Sequence, residues 1–133
     1  MDCDYPQHSV CKQKERDMAT VKASASLQAM LVAQAQRLGG KAYLVIPSRP
    51  QRALDDWAAF AAGESEPYDI VLFDLPGTAG SNGVLTTITR LDHLFVPLKP
   101  DRMVLESTLN FAATIHDRLI MTGTSKIRSL HLF

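Results

Sequence analysis

Short apolar runs alternate along the chain with longer stretches in which apolar residues recur every three or four positions. The runs are rich in Val, Ile, Leu and Phe, and they predict β-strands at 42–46, 70–74, 93–97 and 129–133. They are apolar at nearly every position, which is typical of strands covered by helices on both faces. The pattern therefore favours a parallel sheet.

Helical spacing before and between the first strands predicts two helices. The first covers 11–38 and ends at Gly39-Gly40. The second has Ser48 as its N-cap and Pro50 in its first turn, and Gly63 lies just past its end.

Two more helices are predicted in the second half of the chain. One contains 84–91, and the other begins after Asp101, a capping residue, and ends at Gly123. Helices thus alternate with strands throughout. This order implies right-handed βαβ crossovers and a three-layer α/β fold with a mainly parallel sheet.

Length, charge and cysteine content narrow the class of protein. The 133 residues fit one domain, and 14 basic residues balance 14 acidic ones, so no long-range field attracts nucleic acid or anionic lipid. The cysteines, Cys3 and Cys11, follow no signal peptide, and the apolar runs are too short to cross a membrane. We therefore expect a cytoplasmic protein with reduced thiols.

Polar residues follow three of the predicted segments, where an open α/β sheet binds its ligands. They are found at 2–7, at 74–78 after the run IVLFD, and at 97–101 after HLFVP. Asp74 can hold a metal directly or through water, and Gly77 leaves a backbone N–H that a phosphate can approach closely. An Asp at the end of a strand is equally typical of a simple turn cap.

The segments DCDYPQ, YDIVLFDLPG and LFVPLKPDRMVLES occur in this order and together resemble the ParA/MinD-type partition ATPases. These are deviant-Walker members of the P-loop NTPases (SIMIBI type), and the resemblance is to the ParA-like proteins of Bacteroides-type conjugative elements in particular. It implies one partial ATPase domain over 1–133, incomplete at both ends. Switch I would lie at 2–8, Walker B and switch II at 70–78, and the base-pocket segment at 97–101.

The resemblance also implies roles for single residues. Asp2 would lie close to Mg²⁺, Asp4 would orient the attacking water, and Asp74 would hold Mg²⁺ through water. The nucleotide would contact five further residues, with Gly77 at the γ-phosphate and the later ones at the adenine and ribose: Pro76, Gly77, Pro97, Lys99 and Asp101.

The chain departs from the family in three places. Tyr5 is inserted between Asp4 and Pro6, DLPG replaces D-T-P-P, and no GxxxxGK[ST] loop occurs. Since that loop cradles the phosphates, we expect no ATP hydrolysis by this chain alone. Mg²⁺ and ATP are cofactors of the intact family. The sequence leaves open whether this chain alone binds either of them. A gene fragment, a late start and an inactive relative all stay open.

The intact relative would dimerise around ATP and move or segregate DNA, in plasmid partition or during transfer of a conjugative transposon. We therefore expect a homodimer and a partition or conjugation partner protein. Four basic residues could contact DNA, but acidic residues interrupt them and a solvated helix face explains them as well: Lys12, Lys14, Arg16 and Lys22.

Two alternative functions use the same residues. A non-catalytic interaction module could share the fold. A phosphoacceptor receiver domain would use the acidic pair Asp2 and Asp4, then Asp74 and Lys99. However, too few residues separate Asp74 from Lys99 for the two βα units that a receiver requires, because each unit takes roughly 30 residues.

A third alternative is a metal site formed by Cys3, His8 and Cys11 with an early aspartate. Its C-x₄-H-x₂-C spacing matches no common zinc pattern. His93 and His116 have no Ser, Cys or carboxylate at a spacing that suggests a catalytic triad, so the sequence assigns them no catalysis.

Overall fold

The structure is a computed structural model and describes residues 1–39, 43–77 and 83–133. Gly40, Ala42 and Thr78, which the sequence analysis places at a helix end, a strand start and switch II, lie outside the described residues. The chain divides into two compact units, Met1–Leu75 and Pro76–Phe133. Each unit is described by itself below.

Asp2 lies at the centre of a short parallel ladder in the first unit. It forms one parallel bridge with Pro47 and a second with Asp74. The runs predicted as strands at 42–46 and 70–74 thus reach the ladder only at their ends, and Leu72 is 73% exposed. Backbone groups form a regular strand only where neighbouring segments satisfy them. Among the described residues these runs find too few partners, so the two strand predictions are wrong in extent.

Hydrogen bonds fix the direction of this ladder. The backbone N–H of Asp2 donates to the carbonyl of Ile46 at 2.8 Å. On the other side, the N–H of Asp74 donates to the carbonyl of Met1 at 2.9 Å, and the carbonyl of Asp74 accepts from the N–H of Cys3 at 2.8 Å. The first residues of the chain are therefore held between two segments that run in the same direction.

Two helices replace the single first helix that the sequence predicts. They are α1 (Ser9–Lys22) and α2 (Ala25–Leu38). Between them Ser24 is extended, with φ −131° and ψ 113°, and its hydroxyl accepts from the N–H of Leu27 at 3.4 Å. A serine hydroxyl competes with helical hydrogen bonding and favours the N-cap position. The apolar spacing continues across this break, which explains why the prediction missed it.

The third helix begins later than predicted. Helix α3 covers Ala53–Ala61, and Ser48 does not cap it. Instead, the Ser48 hydroxyl donates to the carboxylate of Asp56 at 2.7 Å. Gly63 lies just past the helix, as the sequence predicts.

An aromatic cluster packs along α3. Trp57 lies edge-on to Tyr68, with ring centroids 5.4 Å apart, and its ring centroid is 5.9 Å from that of Phe60. These contacts indicate a packing role for Trp57 and Phe60 rather than a platform for nucleic-acid bases.

The second unit contains the regular strands of the structure. Strands β1 (His93–Val96) and β2 (Ser129–Leu132) are parallel, with His93 opposite Ser129. Around them lie helix α4 (Val84–Ile88), helix α5 (Arg102–Ile115) and a π-helical turn (His116–Ile120). Both strands fall within the apolar runs that the sequence assigns to strands, and Gly123 has φ +68° past the last helical turn.

One face of the β1–β2 sheet is buried and the other is open. Leu94 and Val96 are buried, whereas Phe95 between them is 57% exposed. The buried side belongs to the unit's core: Val84, Ile88, Leu94, Val96, Ala112, Ile115 and Ile127. In the described part of this unit the sheet is thus covered on one face, and the three-layer P-loop fold stays a prediction.

None of the helices in the described ranges combines the length and the apolar character that a bilayer-spanning helix needs.

Candidate functional site

The Asp2 carboxylate is fully buried and accepts hydrogen bonds through both oxygens. Its Oδ2 accepts from the backbone N–H of Cys11 at 2.8 Å, and its Oδ1 accepts from the N–H of Asp4 at 3.3 Å. The ring nitrogen Nδ1 of His8 lies 3.5 Å from Oδ1. Cys11 belongs to the first turn of α1, whose N–H groups lack helical partners, so Asp2 caps this helix.

The surroundings of Asp2 hold its pKa below the usual value of 3.8. Burial alone raises the pKa, because it disfavours the charged form. The backbone N–H and the thiol of Cys11, the N–H of Asp4 and the charge of His8 together outweigh burial. Asp2 is therefore an anion at neutral pH, and hydrogen bonds within the first unit stabilise its charge.

Asp74 is shifted in the opposite direction. Burial and, after it, the negative charges of Asp2 and Asp4 raise the pKa of Asp74 above 3.8. The charges of Asp2 and Asp4 therefore reach Asp74. Asp2 and Asp74 pair directly in the parallel ladder, and Asp4 follows two residues after Asp2. These are the three acidic residues that the resemblance implies for metal and water.

The carboxylates suit Mg²⁺ by donor chemistry, since this hard cation takes oxygen ligands and keeps several waters. Both oxygens of Asp2 already accept hydrogen bonds, which leaves Asp4 and Asp74 as the more open groups. Within the described ranges, no three His, Cys, Asp or Glu side chains converge in a direct metal cage. Their donor chemistry is compatible with Mg²⁺, and binding of Mg²⁺ through water stays a prediction.

An aromatic ring and a guanidinium adjoin the acidic residues. The guanidinium carbon of Arg49 lies 4.3 Å from the ring centroid of Tyr5, a cation–π contact. The same ring meets His8 edge-on, with centroids 5.7 Å apart. The sequence analysis missed Arg49, although its position just after the predicted strand 42–46 places it at the same end of the ladder.

Both cysteines hold their protons firmly. Burial raises the pKa of Cys3 to about 11, with smaller contributions from the charges of Asp2 and Asp74. Burial and a hydrogen bond from its thiol to Asp2 raise the pKa of Cys11 to about 11. Cys3, His8 and Cys11 are all described, and they form no group of three side chains placed to hold a metal ion.

The five predicted nucleotide contacts lie in the second unit, and their part in a nucleotide site stays a prediction. Pro97 and Lys99 are exposed and Pro76 is half-buried. The carboxylate of Asp101 caps α5, where it accepts a backbone N–H at 3.0 Å. Gly77 is exposed, and a Cβ added there would meet no described atom within 4 Å.

Some of the basic residues of α1 have partners within the chain. The Lys14 ammonium donates to the carbonyl of Tyr43 at 2.6 Å and lies 5.1 Å from the centroid of that ring. Arg16 donates to the side chain of Gln13 at 2.6 Å. These contacts favour a solvated helix face over a DNA-binding stripe.

Comparisons with protein-family models, with curated proteins and with solved structures find no match to this chain.

Proposed function

We propose that this chain is a segment of a ParA/MinD-like ATPase that supplies the acidic edge of a Mg²⁺–nucleotide site and does not hydrolyse ATP alone. The process it would serve is DNA partition or conjugative transfer of a mobile element. One observation carries the proposal: the parallel ladder pairs Asp2 with Asp74, and the charge of nearby Asp4 also acts on Asp74. Ligands of open parallel sheets bind at such ends.

Repulsion among the carboxylates supports a cation at this edge. Burial and, after it, the charges of Asp2 and Asp4 raise the pKa of Asp74, so its ionised form is disfavoured in the free chain. A hydrated divalent cation would reverse this effect. Mg²⁺ would supply charge neutralisation for a bound phosphate, while the carboxylates hold its waters.

The proposed roles differ among the three aspartates. Asp74 would hold Mg²⁺ through water, and Asp4 would orient the attacking water. Asp2 positions the edge by capping α1, since both its oxygens are engaged there. No residues of the form GxxxxGK[ST] occur in the sequence, so the cradle that positions the phosphates must come from elsewhere.

Carboxyl ¹³C NMR during a Mg²⁺ titration tests the proposal. We expect Mg²⁺-dependent shifts of the Asp74 and Asp4 carboxyl signals, and loss of the Asp4 shift in Asp74→Asn. The matched control is Asp92→Asn, which removes an exposed carboxylate of the second unit. This control should leave the Mg²⁺-dependent shifts unchanged. A single-turnover assay should show no ATP hydrolysis. Equal shifts at Asp92 and Asp74, or clear turnover by this chain, would contradict the proposal.

A second candidate function, a non-catalytic interaction module, is favoured by α2. No residue of this helix is buried, and Met30, Val32 and Leu38 are 65%, 56% and 72% exposed. Apolar residues exposed on one helix are typical of contact surfaces. Sedimentation without nucleotide tests this function: self-association that Leu38→Ser abolishes, together with no response of Asp74 to Mg²⁺, would favour the module over the ATPase segment.

A further inference from the structure

Three polar side chains form a chain of short contacts on the open face of the β1–β2 sheet. The Ser129 hydroxyl oxygen lies 2.6 Å from Nδ1 of His93 and 2.7 Å from Nε2 of His131. The contacts lie at the surface, and both imidazole rings are exposed. The sequence spacing predicts no triad partner for His93, and the structure places the Ser129 hydroxyl beside it through the strand register.

The strand register produces this arrangement. His93 pairs directly with Ser129, and His131 follows two residues later on the same face of β2. Phe95, which is opposite His131, stacks on its ring with centroids 4.7 Å apart and an angle of 11° between the planes. The stacking holds the His131 ring in the orientation that directs Nε2 at the hydroxyl.

The hydroxyl can donate its single proton to only one of the two ring nitrogens. The other nitrogen must donate to the oxygen or leave its lone pair unused. The two imidazole rings lie on one exposed face with centroids 6.2 Å apart, and each has a nitrogen on the side of Ser129. Two such nitrogens can supply two of the four ligands of a tetrahedral coordination shell. Neutral imidazole is a strong ligand for late first-row divalent cations, at about 2.0–2.1 Å for Zn²⁺.

We propose that Nδ1 of His93 and Nε2 of His131 bind a divalent late transition-metal ion, Zn²⁺ or Cu²⁺, between the two rings on the open face of the sheet, outward of the Ser129 side chain. The hydroxyl turns aside when the ion binds, and water completes the coordination. Ser129 thus keeps the two rings apart in the free chain and is not a required ligand. This site lies in the second unit and is independent of the function proposed above.

Isothermal titration of the full-length, untagged chain with Zn²⁺ tests the site. We expect that His93→Gln and His131→Gln each weaken this binding by more than about tenfold, or remove one equivalent of Zn²⁺. Ser129→Ala should bind at least as tightly as the parent chain. The matched control is His116→Gln, because His116 is also exposed but bonds Asp117 at 2.9 Å. It should leave binding unchanged.

Unchanged binding in both histidine variants would overturn the proposal, as would an equal loss in Ser129→Ala. Electron paramagnetic resonance of the Cu²⁺-loaded chain gives a second measurement that does not depend on the folding of a variant. Hyperfine structure from two imidazole nitrogens is the expected signal for the parent chain. A spectrum without nitrogen coupling would also overturn the proposal.

Discussion

The carboxylate of Asp2 caps helix α1 through the backbone N–H of Cys11, with 2.8 Å between Oδ2 and the nitrogen. The two residues are nine positions apart, so the cap comes from outside the helix. It joins the parallel ladder to α1, because the backbone of Asp2 bridges to Pro47 and Asp74 while its side chain binds the helix. One residue therefore connects the acidic edge to the first helix.

Replacing Asp2 should destabilise the first unit. Asp2→Ala leaves the Cys11 N–H in the first turn of α1 without its acceptor, which costs about 1–3 kcal/mol of unfolding free energy. Since folding lowers the pKa of Asp2, the carboxylate stabilises the fold above its ordinary pKa of 3.8, and this contribution is lost as the pH falls through the folded value. Urea unfolding should show a larger difference between Asp2→Ala and the parent chain at pH 7 than near pH 2. A constant difference would contradict this account.

Asp74→Asn should instead stabilise the folded chain at pH 7. A carboxyl whose pKa is raised by folding contributes stability below its ordinary pKa of 3.8, and the contribution is lost as the pH rises through the folded value. At pH 7 the ionised side chain is repelled by Asp2 and Asp4. We expect a Tm about 1–4 °C higher for Asp74→Asn at pH 7. The gain should vanish near pH 2, and a lower Tm at pH 7 would refute the prediction.

The cysteines should react slowly with alkylating reagents. Burial raises the pKa of Cys3 and Cys11 to about 11, so almost no thiolate is present at pH 7.5. The folded chain should therefore be labelled by iodoacetamide far more slowly than the urea-unfolded chain. Asp2→Asn removes a charge and an acceptor that raise the pKa of Cys11, so it should accelerate labelling there. Mass spectrometry of the labelled peptides measures both rates.

The same two thiols give the unfolding free energy a dependence on alkaline pH. Their folded pKa of about 11 lies above the ordinary value of 9.0. The stabilising contribution is therefore complete below pH 9 and lost as the pH rises through 11.

Asp101 should contribute to stability whatever its relation to a nucleotide. Its Oδ1 accepts the N–H of Val104 at 3.0 Å at the start of α5. Asp101→Ala should lower the unfolding free energy by about 1 kcal/mol, whereas Asp101→Asn should keep most of it because asparagine also caps helices well. Equal losses in both variants, measured by urea unfolding, would rule out a capping role.

The elements that depend on local signals could be predicted from the sequence. Asp101 caps α5, and Gly39 and Gly123 take positive φ values where helices end. Elements that depend on distant partners could not. The helix break at Ser24 reflects a competition between a side-chain cap and a continuous helix, and apolar spacing alone does not decide it.

The candidate site likewise has features that the sequence could predict and features that it could not. The proximity of Asp2 and Asp4 to Asp74 could be predicted, because the ends of neighbouring parallel segments meet at one edge of a sheet. The contact of Arg49 with Tyr5 and the alignment of His93 with Ser129 depend on orientation and on strand register, which no local pattern fixes.

The parallel ladder also bears on how the first unit forms. The nitrogen of Met1 donates to the carbonyl of Leu72, which is 71 positions away along the chain. Contacts between such distant residues require a large loop to close before any stabilisation is gained, and they slow folding. During synthesis, the first residues of the chain must therefore wait for the segment around Asp74 to leave the ribosome before they can take their final place.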